Sequence, residues 1–267
     1  MHMENGGDGV DTRRLWDRLA RDWYVQVGDH GDSNRQLNSD PLLWEWAADV
    51  RGLRVLDAGC GTGYLLQKLQ ERGAAATGVD FSEEMIAVAR EQYPDLDLRV
   101  DDCQELVSIR DSEIDLLVSN YVLMDLPDLG MAADACSRVL KTGGRAIVII
   151  SHPCFPQAQC RAVIDTDNRE ESSSEDGMTL IYTWPFSYFE EHVCIDPPWK
   201  HFRERFVHYH RPLSDYWSAF SSAGMRVLDF REPRVTPDRY HLAESDAHLR
   251  SSRNRPYSAA FLLEKGP

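Results

Sequence analysis

No apolar run in this chain approaches the roughly eighteen residues of a membrane-spanning helix. The polar, glycine-rich stretch Met1 to Thr12 has no signal-peptide pattern and is expected to be a flexible N-terminus of a cytoplasmic protein. There is no Cys-x-x-Cys pair among the six cysteines at 60, 103, 136, 154, 160 and 194. Free thiols in a reducing compartment are therefore expected. Basic charge is short as well: 29 Lys and Arg against 44 Asp and Glu leave a formal charge of −15. Nucleic acid is a poor partner for such a chain, because phosphate binding rests on clustered cations. No membrane partner is expected either, and a small-molecule substrate is, with homodimer formation left open. The dinucleotide fingerprint G-x-G-x-x-G is also missing.

What stands in its place is VLDAGCGTGYL, residues 55–65. A β-rich run from Leu53 to Leu56 reaches Asp57 and breaks into Gly59, Gly61 and Gly63 before a helical pattern starts. Strand, tight turn and helix N-terminus in that order make a nucleotide cradle, where glycines allow positive φ and close backbone approach. The third glycine comes one residue early for a pyrophosphate, and Asp57 would repel one. An acid suits a ligand with a positive end. The next strand, Ala75 to Val79, runs into Asp80, a carboxylate placed to accept both hydroxyls of an unphosphorylated ribose.

VLDAGCGTG followed by GVDFSEEMI resembles the S-adenosylmethionine site of class I methyltransferases of the small-molecule type. The resemblance implies S-adenosyl-L-methionine as cofactor and S-adenosyl-L-homocysteine as its product. It implies that Phe81 and Met85 flank the adenine. It also implies that an acid and a small residue in DDCQEL, Asp102 and Cys103 or Asp101 if the register slips, read the adenine edge. Asn120, at the end of the apolar run Ile114 to Ser119, is expected at the methionine end of the cofactor. The run WDRLARDWY resembles the family's N-terminal lid, which would bring Tyr24 near the transferable methyl; Trp16, Trp23 and Tyr24 as plain packing residues is an equal alternative.

The implied fold is α/β: a Rossmann-like seven-stranded methyltransferase sheet, mostly parallel with an antiparallel edge strand, with helices on both faces. An aromatic-rich cap is inserted after the fifth strand. The expected divisions are 1–12 flexible, 13–50 lid, 51–154 cofactor core, 155–211 substrate cap and 212–267 the rest of the core. Asp165 to Gly177, rich in acids and serines, reads as a mobile loop, and Thr179 to Arg211 as two or three antiparallel strands. Ser214 is expected to cap the helix after the cap, and the last two strands to be joined by a polar loop without a helix.

His152, directly after the fifth strand, and His210, where the cap returns to the core, are the acid/base candidates beside Tyr24. A zinc site from His152, Cys154, Cys160 and Cys194 lacks tight ligand spacing, so no metal is expected. The chemistry expected is methyl transfer to N, O or C of a small, aromatic or apolar metabolite, in biosynthesis. The alternatives are a cofactor-binding protein of the same fold that transfers no methyl, cyclase-like or regulatory, and an NAD-dependent oxidoreductase.

Overall fold

The computed structural model describes residues 11–156, 160–164, 178–182 and 184–267. The expected loop from Asp165 to Gly177 and most of the N-terminal segment lie outside the described residues. The chain opens with α1 (Thr12–Val27), a π-helical turn (Arg35–Ser39) and α2 (Asp40–Ala47). Then come β1 (Arg54–Ala58), α3 (Tyr64–Glu71), β2 (Ala75–Asp80), α4 (Glu83–Gln92), β3 (Asp97–Val100), β4 (Ile114–Asn120), α5 (Leu129–Val139) and β5 (Leu140–Ser151). Two hairpins follow, β6 (Cys160–Ile164) with β7 (Met178–Tyr182) and β8 (His192–Asp196) with β9 (Phe206–His210), each an antiparallel two-stranded sheet of its own. The chain closes with α6 (Leu213–Ser222), β10 (Met225–Arg231), α7 (Asp246–Asn254) and β11 (Ser258–Lys265).

The seven-stranded sheet runs β10-β11-β5-β4-β1-β2-β3. Strands β1 to β5 pair in parallel, and β11 runs antiparallel to both its neighbours, one place in from the edge formed by β10. Because successive side chains of a strand point to opposite faces, the apolar runs fill two cores. Leu56, Leu117, Val148, Ile150 and Phe261 pack with Ala132 and Cys136 of α5 and Tyr216 and Phe220 of α6. Val55, Leu116, Val118, Ile147 and Ile149 pack with Leu42 and Trp46 of α2 and Leu65 and Leu69 of α3. This is the Rossmann-like methyltransferase sheet with helices on both faces. Its chain path turns back between β1 and β4, where open α/β sheets form ligand crevices.

Two local expectations are corrected. Ser214 does not cap α6: the helix starts after Pro212, and Ser214 Oγ donates to Asp215 Oδ1 at 3.3 Å. The connection from β10 to β11 is not helix-free. It holds a 3-10 turn (Pro237–Leu242) and α7, whose cap Ser245 accepts from His248 N at 3.1 Å. Apart from Leu249, α7 carries little apolar surface, so its sequence reads as a polar loop.

α1 is fixed to the sheet domain by polar contacts as well as packing. Ser82 is the cap of α4, accepting from Met85 N at 3.1 Å, and its hydroxyl donates to Asp17 Oδ1 at 2.7 Å. Arg21 pairs with Glu91 at 3.1 Å, and Leu15 and Leu19 meet Phe202 and Val207 of the second hairpin region. The N-terminal helix therefore lies between α4 and that hairpin, above the carboxyl ends of the strands.

Candidate active site

The glycine turn is held by its own backbone. Gly59 N and Cys60 N both donate to Val79 O, at 2.8 and 2.9 Å, and Gly63 N donates to Cys60 O at 3.0 Å. Gly61 N donates to Asp80 Oδ2 at 2.9 Å, while Asp80 Oδ1 accepts from Ser82 N at 2.9 Å. All three glycines have φ between +52° and +91°, a region L side chains enter only at a cost. Four amides of the turn are thus already satisfied within the protein.

Around this turn lies an open cleft whose space, solvent at its mouth included, is about 760 Å³. Its walls include Asp57, Gly59, Gly61, Asp80, Phe81, Met85, Cys103 and Asn120 of the expected cofactor residues. Asp57 is 2% exposed and its Oδ2 has no hydrogen-bond partner; Asn120 is 8% exposed and its Oδ1 has none either. Two buried oxygens facing a cavity without partners are costly by themselves and ready for ligand donors. Burial, with the Asp80 charge added, pushes the Asp57 carboxyl up to about 7. Burial pushes Asp80 up to about 6 against the two amides that favour its charge. A cationic group beside them would reverse that penalty.

The opposite wall was not legible as a site. Arg35, 6% exposed, lies in the π-helical turn with its Nη1 on Asp32 Oδ2 at 2.8 Å and its Nε unpartnered. Its guanidinium carbon sits 5.1 Å from the Trp23 ring centroid and 5.3 Å from that of Tyr121. Burial opposes the Arg35 charge, but Asp32, Tyr64, Tyr121 and Asp40 outweigh it, and the pKa is raised. Tyr64 Oη donates to Asp40 Oδ1 at 3.0 Å, and Tyr121, held at φ +61°, shares a hydrogen bond with Ser258 Oγ. Trp16, Trp23, Val122, Asp125 and Leu126 also line the cavity.

Residues 56–148 match a family model described as a methyltransferase domain. Over these residues the chain is similar to methyltransferase domains. A ubiquinone biosynthesis O-methyltransferase of Xylella fastidiosa is 37% identical over 103 residues, 37% of this chain and 42% of that protein. One from Acinetobacter baylyi is 30% identical over 144 residues, 51% of this chain and 60% of that protein. The chain thus spans about half the length of these curated relatives. In fold the likeness is longer: an S-adenosylmethionine-dependent methyltransferase structure from Mesorhizobium loti superposes with TM-score 0.69 at 22% identity, over 89% of this chain and 100% of that one.

Several expected site residues of the methyltransferase domain and its flanks lie away from the cavity. Gly63 packs instead on α4, where a Cβ would meet Ala89 and Tyr93 at 3.3 and 3.2 Å. Asp102 turns its carboxylate to Gln104 N at 2.8 Å, and Asp101 is saturated by the amides of Asp102, Val107 and Ser108 and the Ser108 hydroxyl. Tyr24 donates to Gln92 Oε1 at 2.9 Å on the seam between α1 and α4. His152, 2% exposed, has both nitrogens engaged: Nδ1 accepts from Cys154 N at 3.2 Å, so Nε2 carries the proton toward Glu232 Oε1 at 2.8 Å. Burial lowers its pKa although Glu232 favours the charge. His210 donates from Nε2 to Tyr188 O at 2.9 Å inside a cluster of Trp184, Phe186 and Tyr188, and burial lowers its pKa too. None of the three lines the cavity. Among the described residues no group of three His, Cys, Asp or Glu could hold a metal ion.

Arg35 and Asp125 are the site residues that sequence reading passed over. The signal for Arg35 was Asp32-x-x-Arg35 in a short polar stretch between two tryptophan-bearing helices. For Asp125 it was a single acid in the apolar run SNYVLMDL.

Proposed function

We propose that this chain binds S-adenosylmethionine in the cavity and moves its methyl group to a small, apolar or aromatic acceptor. The observation that carries this reading is the satisfied glycine turn. Gly59, Cys60, Gly61 and Gly63 spend their amides on Val79, Asp80 and Cys60, leaving none of them for a pyrophosphate. Asp80 keeps free lone pairs for the ribose hydroxyls, and Phe81, Met85 and Cys103 offer apolar contact to the adenine. The unpartnered Asp57 and Asn120 oxygens suit the amino group at the methionine end, and Arg35 its carboxylate. Bound there, the sulfonium supplies an electrophilic methyl carbon; the protein's part is to align an acceptor against it and exclude water.

Residues 13–50 would cover the cofactor, as Trp16, Trp23 and Arg35 already line the cavity, and residues 155–211 would border the acceptor through Phe202 and Phe206, each 6.1 Å from one of those tryptophans. No general base is assigned to His152, His210 or Tyr24, whose polar atoms are engaged elsewhere. A reducing cytoplasmic setting agrees with the unpaired Cys60, Cys103, Cys136, Cys154 and Cys194. No described helix is long and apolar enough to cross a membrane.

Product analysis tests the reading. Incubation with S-adenosylmethionine and a panel of small acceptors should release S-adenosylhomocysteine and methylated acceptor in equal amounts. A protein that consumes acceptor without forming S-adenosylhomocysteine has the cyclase-like activity of the alternative.

A further inference from the structure

If the cavity holds S-adenosylmethionine as proposed above, its groups engage Asp57, Asp80, Asn120 and Arg35 and leave one charged residue over. Asp125 ends the 3-10 turn Leu123–Asp125 that follows β4, and it lines the same cavity beyond Tyr121 and Val122. Its amide donates to Val122 O at 2.8 Å, while its carboxylate makes no hydrogen bond or ion pair among the described residues. The buried Arg211 guanidinium turns its Nη2 to Leu126 O, Pro127 O and Glu191 at 2.9, 2.7 and 2.6 Å, while its Nη1 has no partner. We propose that Asp125 is the acceptor-binding carboxylate and that the acceptor presents a basic nitrogen, a protonatable amine, against it.

Three features besides the unpartnered side chain point the same way. The cavity lining has three carboxylates, Asp57, Asp80 and Asp125, against one cation, Arg35, and Arg35 already pairs with Asp32. A carboxylate, phosphate or phenolate acceptor would add negative charge to that excess, whereas an ammonium relieves it. Among the described residues no cation forms an ion pair with the Asp125 carboxylate, and the charges acting on it, Asp196 and Asp80, are of like sign. The β8–β9 hairpin packs on this turn with Asp196, whose carboxylate lies 3.5 Å from His208 Nδ1. Burial, with Asp196 and Asp80 adding like charge, holds the Asp125 carboxyl well above the usual range. Burial lowers the His208 imidazole as well, so it brings little positive charge. The adjoining wall is aromatic: Trp16 and Trp23 line the cavity in edge contact at 5.3 Å, with Phe206 6.1 Å from Trp16. Ring faces attract a cation and carry no donor for an anion.

The unpartnered, nearly fully buried Asn120 Oδ1 in the same cavity shows that the empty polar atoms are not confined to Asp125. The cofactor accounts for that oxygen. Its other amino group, on the adenine, is not basic and lies with Phe81, Met85 and Cys103, so the cofactor has no second ammonium for Asp125.

The test is calorimetric and needs no turnover. The full chain is first titrated with S-adenosylhomocysteine, and the saturated complex is then titrated with benzylamine, benzyl alcohol and benzoate, three probes of one shape and different charge. Benzylamine should bind at least about tenfold more tightly than benzyl alcohol, and benzoate least, in line with one charge-assisted hydrogen bond. Asp125→Asn should erase the amine preference while keeping S-adenosylhomocysteine affinity within about threefold, which also reports that the variant is folded. Asp196→Asn, one step behind the site, should keep the preference. Equal binding of amine and alcohol by the wild-type complex, or an amine preference that survives Asp125→Asn, overturns the assignment and leaves the cofactor reading standing. Failure of S-adenosylhomocysteine to bind overturns both.

Discussion

Gly59→Ala is the substitution whose cost follows most directly from the geometry. The residue sits at φ +81°, and an added Cβ would meet both methyls of Val122, lying 2.6 Å from Cγ1 and closer still to Cγ2. The left-handed backbone costs an L residue about 1–2 kcal/mol. Crowding a β-branched neighbour with stiff χ1 adds about 1–3 kcal/mol. The loop cannot slide away, because Gly59 N and Cys60 N are both tied to Val79 O. A total destabilisation of roughly 2–5 kcal/mol follows. The two parts separate in a cycle with Val122→Ala. The double variant should recover the steric share, a coupling of about 1–3 kcal/mol, and retain the backbone share. Urea unfolding of the wild type, both single variants and the double variant measures all four corners. A Gly59→Ala protein within about 0.5 kcal/mol of wild type, or no coupling to Val122→Ala, would refute the reasoning.

Arg35→Lys keeps the charge but loses the planar guanidinium held among Trp23, Tyr64 and Tyr121. S-adenosylhomocysteine should then bind about tenfold more weakly, while 5′-methylthioadenosine, which has no carboxylate, should bind as before. An equal loss for both ligands would mean that Arg35 only supports the fold. Asp57 and Asp80 give two pH dependences of opposite sign. Their pKa values are raised in the fold, to about 7 and about 6, so their contribution to the ligand-free protein's stability falls as pH rises from the unfolded carboxylate range through those values. Affinity for the cationic amino group should rise over the upper part of the same window, as Asp57 ionises. Calorimetry from about pH 5 to 8 should show S-adenosylhomocysteine gaining on 5′-methylthioadenosine, and Asp57→Asn should flatten that gain.

The sheet was legible because its signals are local. Glycines at fixed offsets, an acid closing β2, and continuous apolar runs in β4 and β5 each need only a few neighbouring residues to be read. The cofactor half of the cavity follows from those strand ends: Asp57, Asp80, Phe81, Met85, Cys103 and Asn120 all line it. The rest of the cavity depends on contacts between distant segments. Arg35 becomes a wall only because its π-helical turn is packed against Trp23, Tyr64 and Tyr121, and Asp125 only because β9 folds over the turn after β4. Histidine at a strand end was a misleading cue for the same reason. His152 stands where a base could stand, yet Glu232, 80 residues on, takes its Nε2. α7 escaped notice because its segment, DAHLRSSRN, holds scarcely any apolar residues.

The most direct test of the central claim is isothermal titration of the wild-type protein with S-adenosylhomocysteine and with NAD under identical conditions. The account predicts saturable one-to-one binding of S-adenosylhomocysteine and no measurable heat of binding for NAD, since the amides of the glycine turn are already taken. Binding of NAD without S-adenosylhomocysteine would contradict it.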